Sequence, residues 1–422
     1  MAPVLRVESA FFPLDEQLGL LGGGLTPRGE ETLVRLSTWM PYESARELLQ
    51  DMLGMQASKA TARRATLTTG QAALAQWEEQ VERLKQEAPQ APVGAGEGEK
   101  QAMSGDGAMV HLVGGEWAEV KTLALGEVTR NRRGEVCTQH LSYCSRLGDV
   151  TTFEHATLLQ THQRGLERAS AVCAVQDGAE WLQGLVDYHR ADAVRILDFA
   201  HAAEYINDIG QAVQAAGGRL PARWFQGVLH RLKHQGPTRV LRHLRWLATH
   251  YPSPFMQEKL TYLQKREAHM QYPAYQEAGW PIGSGSVESA NKLVVEARLK
   301  GAGMRWCRHN VNPMLVLRNA VCNREWKQTW ESSRTYRQTL RTQRRKATSH
   351  QRLEHAMWVL IIWGVRVHRL SQPSPVASSA PTAVLSKVGQ SLPRPGSGYS
   401  WHKPFLRRLP STTGAREEPC AK

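Results

Sequence analysis

The chain has 422 residues, of which 53 are Lys or Arg and 39 are Asp or Glu, so its formal net charge is +14. An excess of this size indicates a polyanionic partner, most simply nucleic acid, and the 41% of apolar residues argues against a disordered chain. The six cysteines contain no C-x-x-C pair, which argues against a zinc ribbon and is typical of a reducing compartment. With no signal peptide and no apolar run long enough to span a bilayer, we expect no membrane partner and a cytoplasmic, nucleoid-associated location.

The first part of the chain is predicted to be helical, over residues 26–87. Apolar residues recur at helical spacing up to Gly54, which breaks the pattern. A short second helix then begins near Ser58 and carries three cations, Lys59, Arg63 and Arg64. Helix, glycine turn and basic helix indicate a helix-turn-helix DNA-binding domain over residues 1–87, with an ordinary αα-hairpin as the alternative. The Pro/Gly/Ala-rich residues 88–105 are predicted to be a linker.

The centre of the chain reads as a mixed sheet of an α/β fold. Three strand-like runs separated by turn residues predict an antiparallel meander from residue 106 onwards. Two apolar strands that each run into a helix then predict parallel strands. Residues 202–278 look wholly helical and predict a helical insertion in a core over 106–325. Basic helices over 326–370 and a disordered tail over 371–422 complete the prediction.

Three acids are predicted where strands begin or end, and a fourth follows a glycine turn. Asp106 is predicted at the start of the first strand, Asp177 at the end of the fourth and Asp198 at the end of the fifth. An Asp after a strand is often a simple turn residue, but Asp198 lies in an apolar stretch and needs a partner. Glu288 follows GWPIGSGSV, where Ser286 is predicted as the N-cap; it either complements the helix dipole or binds a metal.

Converging carboxylates repel each other and hold protons unless a divalent cation neutralises them. Mg²⁺ (or Mn²⁺) accepts such oxygen ligands together with substrate phosphate and water. Two ions can stabilise the attacking and leaving oxygens of a phosphoryl transfer. The pattern therefore predicts a metal-dependent nuclease or transferase site.

Several long segments resemble a known family. They are FPLDEQLGL (12–20), DGAMVHLVGGEWAEVKTLALGEV (106–128), AVQDGAEWLQGLVDYHRADAVRILDFAHAAEYI (174–206) and GWPIGSGSVESANK (279–292). They resemble DDE transposases of bacterial insertion sequences, close to the ISKra4 family. The resemblance implies an RNase H-like core, metal-dependent cleavage and transfer of double-stranded DNA at transposon ends and target, and a homo-oligomer.

The resemblance also implies a metal-binding triad of Asp106, a second Asp and Glu288. The second Asp is Asp177 or Asp198; the family pattern favours Asp177, with Asp198 and His201 as a supporting catalytic pair. Predicted phosphate contacts around the last acid are Lys292, Arg298, Lys300 and Arg305. A further set recurs along one face of the basic helix, namely Arg334, Arg337 and Arg341. Trp280 stacks on an unpaired base or packs in the core.

An alternative function follows from a difference from the family. Its members usually carry Cys pairs before the FPLDE stretch, and this chain begins only a few residues before it. The alternative is a catalytically inactive or truncated remnant that only binds DNA. A cellular nuclease or resolvase would share the chemistry but leave the helical insertion unexplained.

Overall fold

The computed structural model describes residues 25–370, which form two compact units that divide between Leu340 and Arg341. The FPLDEQLGL stretch and the predicted disordered tail lie outside the described residues. Within the described part of the chain, no helix is long and apolar enough to cross a membrane.

Three helices precede the sheet: α1 (Pro27–Trp39), α2 (Tyr42–Leu53) and α3 (Lys59–Glu87). Gly54 ends α2 in the left-handed conformation (φ 64°), and the Ser58 hydroxyl accepts a hydrogen bond from the Thr61 N–H at 3.0 Å. The predicted helical content of this region is confirmed. The prediction of a short second helix is wrong: α3 has 29 residues, because no proline interrupts it.

The sheet has five strands in the order β3-β2-β1-β4-β5. The strands are β1 (Lys100–His111), β2 (Trp117–Arg130), β3 (Val136–Leu147), β4 (Ala171–Gln176) and β5 (Val194–Leu197). The first three are antiparallel, and β1, β4 and β5 are parallel. The mixed α/β sheet and its predicted meander are therefore confirmed.

The first strand begins earlier than predicted, at Lys100 rather than Asp106. The segment before Asp106 looked too polar for a strand, but two of its polar side chains lie in the protein interior. Gln101 donates from Nε2 to the carbonyl of Arg164 at 3.0 Å, and Ser104 is buried. Asp106 consequently lies inside the central strand of the sheet, and the irregular connection ends at Glu99.

Helices cover both faces of the sheet. On one face, α4 (Val150–Gln163), a 3₁₀ turn (Leu166–Arg168) and α5 (Glu180–Arg190) follow β3 and β4. Phe153 of α4 and Leu182 of α5 pack against Met103 and Leu123 of the sheet. The opposite face carries the helices that follow the Gly/Ser turn.

The helical insertion leads from β5 to that turn. It comprises α6 (Phe199–Ala215), α7 (Trp224–Gln235), α8 (Pro237–His250), α9 (Pro254–Lys265), a 3₁₀ turn (Glu267–Met270) and α10 (Tyr272–Glu277). The helical prediction for this region is confirmed. Trp280 is buried in the same core, with Lys100 Nζ 4.7 Å from its ring centroid, so core packing accounts for it.

After the turn, α11 (Gly285–Ala290) continues into a π-helical segment (Asn291–Glu296) and one α turn (Ala297–Leu299), followed by α12 (Arg308–Cys322) and α13 (Trp326–Leu370). Since α11 starts after Ser284, the prediction of Ser286 as N-cap is wrong. The helices before the sheet belong to the same compact unit as the sheet. Trp77 of α3, for example, donates from Nε1 to the carbonyl of Ala156 at 2.9 Å.

Candidate active site

Three aspartates stand at the same level of the three parallel strands. The last β1–β4 pair is Met103 with Ala174, and Asp106 and Asp177 each lie three residues further along. The β4–β5 register pairs Gln176 with Leu197, so Asp177 and Asp198 are the next residues on both strands. The register alone therefore brings these carboxylates to one region of the sheet.

Asp106 is held by two hydrogen bonds on the sheet face that meets α11. Its Oδ1 accepts from the N–H of Gly107 at 2.7 Å, and its Oδ2 accepts from Nδ2 of Asn291 at 2.7 Å. Partial burial raises the pKa of Asp106, and the charges of Asp177 and Glu288 raise it further, while the two hydrogen bonds act in the opposite direction. The structure thus brings the three predicted triad acids into electrostatic contact. We call Asp106, Asp177 and Glu288 the acid cluster.

Asp177 lies in a turn whose backbone carbonyls accept hydrogen bonds from the helical insertion. Its Oδ1 accepts from the N–H of Ala179 at 2.8 Å, and the hydroxyl of Tyr262 donates to its backbone carbonyl. The guanidinium of Arg266 donates from Nη2 to the Gly178 carbonyl at 2.6 Å. Gly178 has a φ of 82°, and a Cβ there would lie 2.4 Å from Nε of Arg266. The Asp-Gly pair is therefore a turn, and that turn is fixed by α9.

Asp198 joins the start of α6 to the residue that precedes α11. It is only 4% exposed; its Oδ2 accepts from the N–H of His201 at 3.3 Å, and its Oδ1 accepts from the N–H of Ser284 at 3.1 Å. The predicted need for a partner is met by backbone donors. The carboxylate therefore ties the first turn of α6 to the Gly/Ser turn that leads to Glu288.

His201 contacts Asp198 through its backbone. Its imidazole lies against the rings of Tyr205 and Tyr262, with centroids 5.2 and 6.1 Å away, and its Nδ1 is 3.6 Å from Glu204. The two residues thus meet through the His201 N–H rather than its imidazole, and their supporting role in catalysis stays a prediction. The helix start explains the short spacing, because an N-cap carboxylate accepts from the N–H three residues later.

Glu288 lies on the first turn of α11 with its side chain exposed, and Asn291 follows one turn later. Asn291 is buried, and its Oδ1 has no hydrogen-bond partner. A π-helical segment begins at this residue, and the carbonyls of Leu293 and Val294 accept from the buried guanidinium of Arg318. π segments occur frequently at functional sites.

Sequence reasoning missed Asn291, Tyr262 and Arg266. A signal existed for Asn291, because it follows Glu288 by three residues in VESAN and so shares its helix face. Tyr262 and Arg266 also share a face, at a spacing of four. Nothing in the sequence indicates that this face meets the Asp177 turn.

The donor set fits Mg²⁺ or Mn²⁺. Among the residues that the structure describes, no three His, Cys, Asp or Glu side chains group tightly enough to hold an ion. Mg²⁺, however, usually takes only one or two carboxylates together with phosphate and water. The mutual repulsion within the acid cluster and the unpartnered Oδ1 of Asn291 beside Asp106 both suit a hard cation.

Two of the predicted phosphate contacts are buried. Arg298 is 2% exposed and donates from Nε to the carbonyl of Ser37 at 2.8 Å. Arg337 is 9% exposed, and its Nη1 is 2.7 Å from Oε1 of Glu30. The predictions of phosphate contact are wrong for both, because these guanidiniums join α1 to the helices that pack on it.

The other predicted DNA contacts lie at the surface. Exposed are Lys59, Arg64, Lys292, Lys300, Arg305, Arg334 and Arg341, and Arg63 is half-buried. Lys300 is 2.7 Å from Glu296, which offsets part of its charge. For these eight residues, contact with phosphate stays a prediction.

No known family model matches the chain. No curated protein matches it significantly either.

Proposed function

We propose that the chain is a DDE transposase of the insertion-sequence kind, with an RNase H-like core, that cleaves DNA strands and transfers them in the presence of Mg²⁺ or Mn²⁺. The observation that carries the proposal is the placement of Asp106 and Asp177 at the same level of neighbouring parallel strands, with Asn291, one turn after Glu288, bonded to Asp106. The charges of Asp177 and Glu288 both act to raise the pKa of Asp106, after the larger effect of its burial. The strand order β3-β2-β1-β4-β5 supports the proposed core.

In this proposal each residue has a defined task. Asp106, Asp177 and Glu288 would hold the divalent cation. Asp177 rather than Asp198 is the second Asp, because the charge of Asp177 acts on Asp106, whereas Asp198 is only 4% exposed and ties α6 to the Gly/Ser turn. Asn291 orients the Asp106 carboxylate. When bound, the cation supplies Lewis-acid stabilisation of the oxygens around phosphorus.

The reaction class is in-line substitution at a DNA phosphodiester. An oxygen of water or of a 3′-hydroxyl forms a bond to phosphorus and loses its proton to solvent. The bond from phosphorus to the leaving 3′-oxygen breaks, and that oxygen takes up a proton from solvent to become a 3′-hydroxyl. Water gives strand cleavage, and a 3′-hydroxyl gives strand transfer. Because two transposon ends must be joined to one target, we expect a homo-oligomer on double-stranded DNA.

The test is nicking of a supercoiled plasmid that carries the DNA flanking the coding sequence. The purified chain is incubated with Mg²⁺, Mn²⁺ or EDTA, beside Asp177→Asn, Asp198→Asn and Glu288→Gln. Glu87→Gln is the matched control, since Glu87 is an exposed acid at the end of α3. We expect metal-dependent nicking by the wild type and the control, and at least a hundredfold loss in Asp177→Asn and Glu288→Gln.

Asp198→Asn separates the two candidates for the second acid. Its thermal stability should fall, because the amide presents only one good acceptor to the two N–H groups, while the folded fraction retains nicking. If Asp198→Asn were folded but did not nick DNA, while Asp177→Asn remained active, Asp198 rather than Asp177 would be the second metal-binding Asp. DNA binding by the wild type without nicking in either metal would contradict the proposal and favour the DNA-binding remnant.

A further inference from the structure

The most uniformly charged segment of the helical insertion is residues 219–250, which include α7 and α8. It contains seven Lys or Arg and no Asp or Glu. The seven are Arg219, Arg223, Arg231, Lys233, Arg239, Arg242 and Arg245. All except the half-buried Lys233 are exposed. None belongs to the DNA contacts predicted from the sequence.

The packing of α7 and α8 turns this charge outwards. On α7, Val228 and Leu232 are buried, and on α8, Leu244 and Leu247 are buried in the same core. The exposed cations therefore lie on the opposite sides of these helices. We call the outward sides of residues 219–250 the α7–α8 basic face.

An exposed indole stands on this face. Trp246 is 53% exposed, and its ring lies between His243 and His250, with centroids 6.3 and 4.1 Å away. The Nδ1–H of His250 donates to the carbonyl of Trp246 at 2.8 Å. Trp224 donates from Nε1 to Nε2 of His243 at 2.8 Å, which fixes that ring. The indole is thus held in place without being covered.

We propose that the α7–α8 basic face is a binding surface for DNA, in which the cations contact phosphates and Trp246 stacks on an unpaired base. Cations beside an exposed, fixed aromatic ring are the combination that binds single strands. The segment has seven cations and no acid of its own, and Glu267 lies beside it, accepting from the Thr238 hydroxyl at 3.1 Å. The large positive excess that remains favours a polyanion over a protein segment with a few separate acidic side chains. The choice of DNA as the polyanion rests on the proposed function.

The surface is connected to the acid cluster through one helix. Leu244 and Leu247 of α8 share a core with Leu260 and Leu263 of α9. That helix carries Tyr262, whose hydroxyl holds the Asp177 carbonyl. A DNA strand bound on α7 and α8 would therefore lie on helices that pack against α9, the helix that holds the Asp177 turn.

The test is equilibrium binding in EDTA, where strand cleavage does not contribute. The probes are a labelled single strand of about 20 nucleotides, which exceeds the usual site size of one binding fold, and its duplex. The charge variant combines Arg231→Gln, Arg239→Gln and Arg242→Gln. Its control combines Arg83→Gln, Arg132→Gln and Arg133→Gln, which removes the same net charge from exposed positions on α3 and the β2–β3 turn.

The aromatic variant is Trp246→Ala, with Trp246→Phe as the conservative replacement. The control is Trp117→Ala, because Trp117 is 57% exposed and also lies against a histidine, His111, at 4.7 Å. We expect Trp246→Ala to weaken single-strand binding about tenfold without changing the salt slope, and Trp246→Phe to recover most of the loss. The charge variant should lower the slope of log K against log salt by about 2 on the single strand.

Three results would overturn the proposal. They are equal slope losses in the charge variant and its control, unchanged single-strand affinity in Trp246→Ala, and equal losses in the two Trp→Ala variants. If Trp246→Ala lowered the affinity for the duplex as much as the affinity for the single strand, stacking of Trp246 on an unpaired base would be contradicted. Because these measurements need no cleavage, they separate this proposal from that of transposase activity, which the nicking assay tests alone.

Discussion

The central residue of the candidate site is Asp106, whose ionised form is unfavourable in the folded protein. Burial and the charges of Asp177 and Glu288 raise its pKa above that of the unfolded chain. The folded state therefore binds the proton of Asp106 at a higher pH than the unfolded state does. As pH rises through the window between the ordinary and the raised pKa, this residue lowers the stability of the fold.

This linkage gives a prediction for Asp106→Asn. Without divalent cations at neutral pH, the variant should have a higher melting temperature than the wild type, because it removes the repelled charge. The difference should vanish below about pH 3, where Asp is protonated in both states. Saturating Mg²⁺, about 100 times its Kd, should stabilise the wild type by about 2.7 kcal/mol and the variant much less. Equal melting temperatures at neutral pH would contradict this prediction.

Asn291 gives a second prediction at this scale. Asn291→Ala removes the 2.7 Å hydrogen bond to Asp106, and a hydrogen bond to a charged group contributes about 1.5–3 kcal/mol. The pKa of Asp106 should therefore rise further, and Mn²⁺ affinity measured by calorimetry should fall about tenfold or more. Ser289→Ala, at an exposed position of the same helix, is the control and should leave the affinity unchanged.

At the scale of elements, α3 shows how closely two helices approach. A Cβ on Gly70 would lie 2.4 Å from the carbonyl oxygen of Pro313 in α12. Gly70→Ala should therefore destabilise the protein by about 1–3 kcal/mol, as overpacking does. Gly227→Ala in α7 is the matched helical control, because nothing lies within 4 Å of its Cβ. It should gain about 1 kcal/mol of helix propensity; denaturant unfolding of both variants checks the opposite signs.

The elements that were predicted correctly are those in which apolar residues recur at the spacing of a strand or a helix. The meander, the two parallel strands and the helical insertion all carry local patterns of apolar residues. The start of β1 was missed because polar residues of this segment are buried against distant parts of the chain; Gln101, for example, donates to the carbonyl of Arg164. The length of α3 was missed because the sequence reading followed a helix-turn-helix layout, whereas the helix continues to Glu87.

The site was predictable in composition but not in arrangement. Turn and strand patterns singled out Asp106, Asp177, Asp198 and Glu288, and the family resemblance favoured Asp177 over Asp198 as the second acid. Their convergence depends on a register between strands that are about seventy residues apart in sequence, which no local pattern contains. The same limit explains why Arg298 and Arg337 looked like surface cations. The sequence gives the charge and the helix position of a basic residue, but not which distant residue will cover it in the fold.

At the scale of the whole molecule, buried guanidiniums hold α1 against the later helices. The Arg337–Glu30 pair is one of these contacts, and both side chains are buried. Glu30→Gln should leave an uncompensated buried charge and destabilise the protein by about 3–5 kcal/mol. Glu79→Gln in the exposed Glu79–Arg83 pair should change stability by less than about 1 kcal/mol. Thermal unfolding of the two variants compares them; a similar effect in both would contradict the buried character of the first pair.

The hydrogen bond between Asn291 and Asp106 joins residues that are 185 positions apart. During synthesis, the sheet can form its first strands long before Glu288 and Asn291 leave the ribosome. A nascent chain, or a copy interrupted by a stop codon before this point, therefore folds part of the sheet but cannot complete the acid cluster. The order of the chain thus delays completion of the acid cluster until α11 has been made.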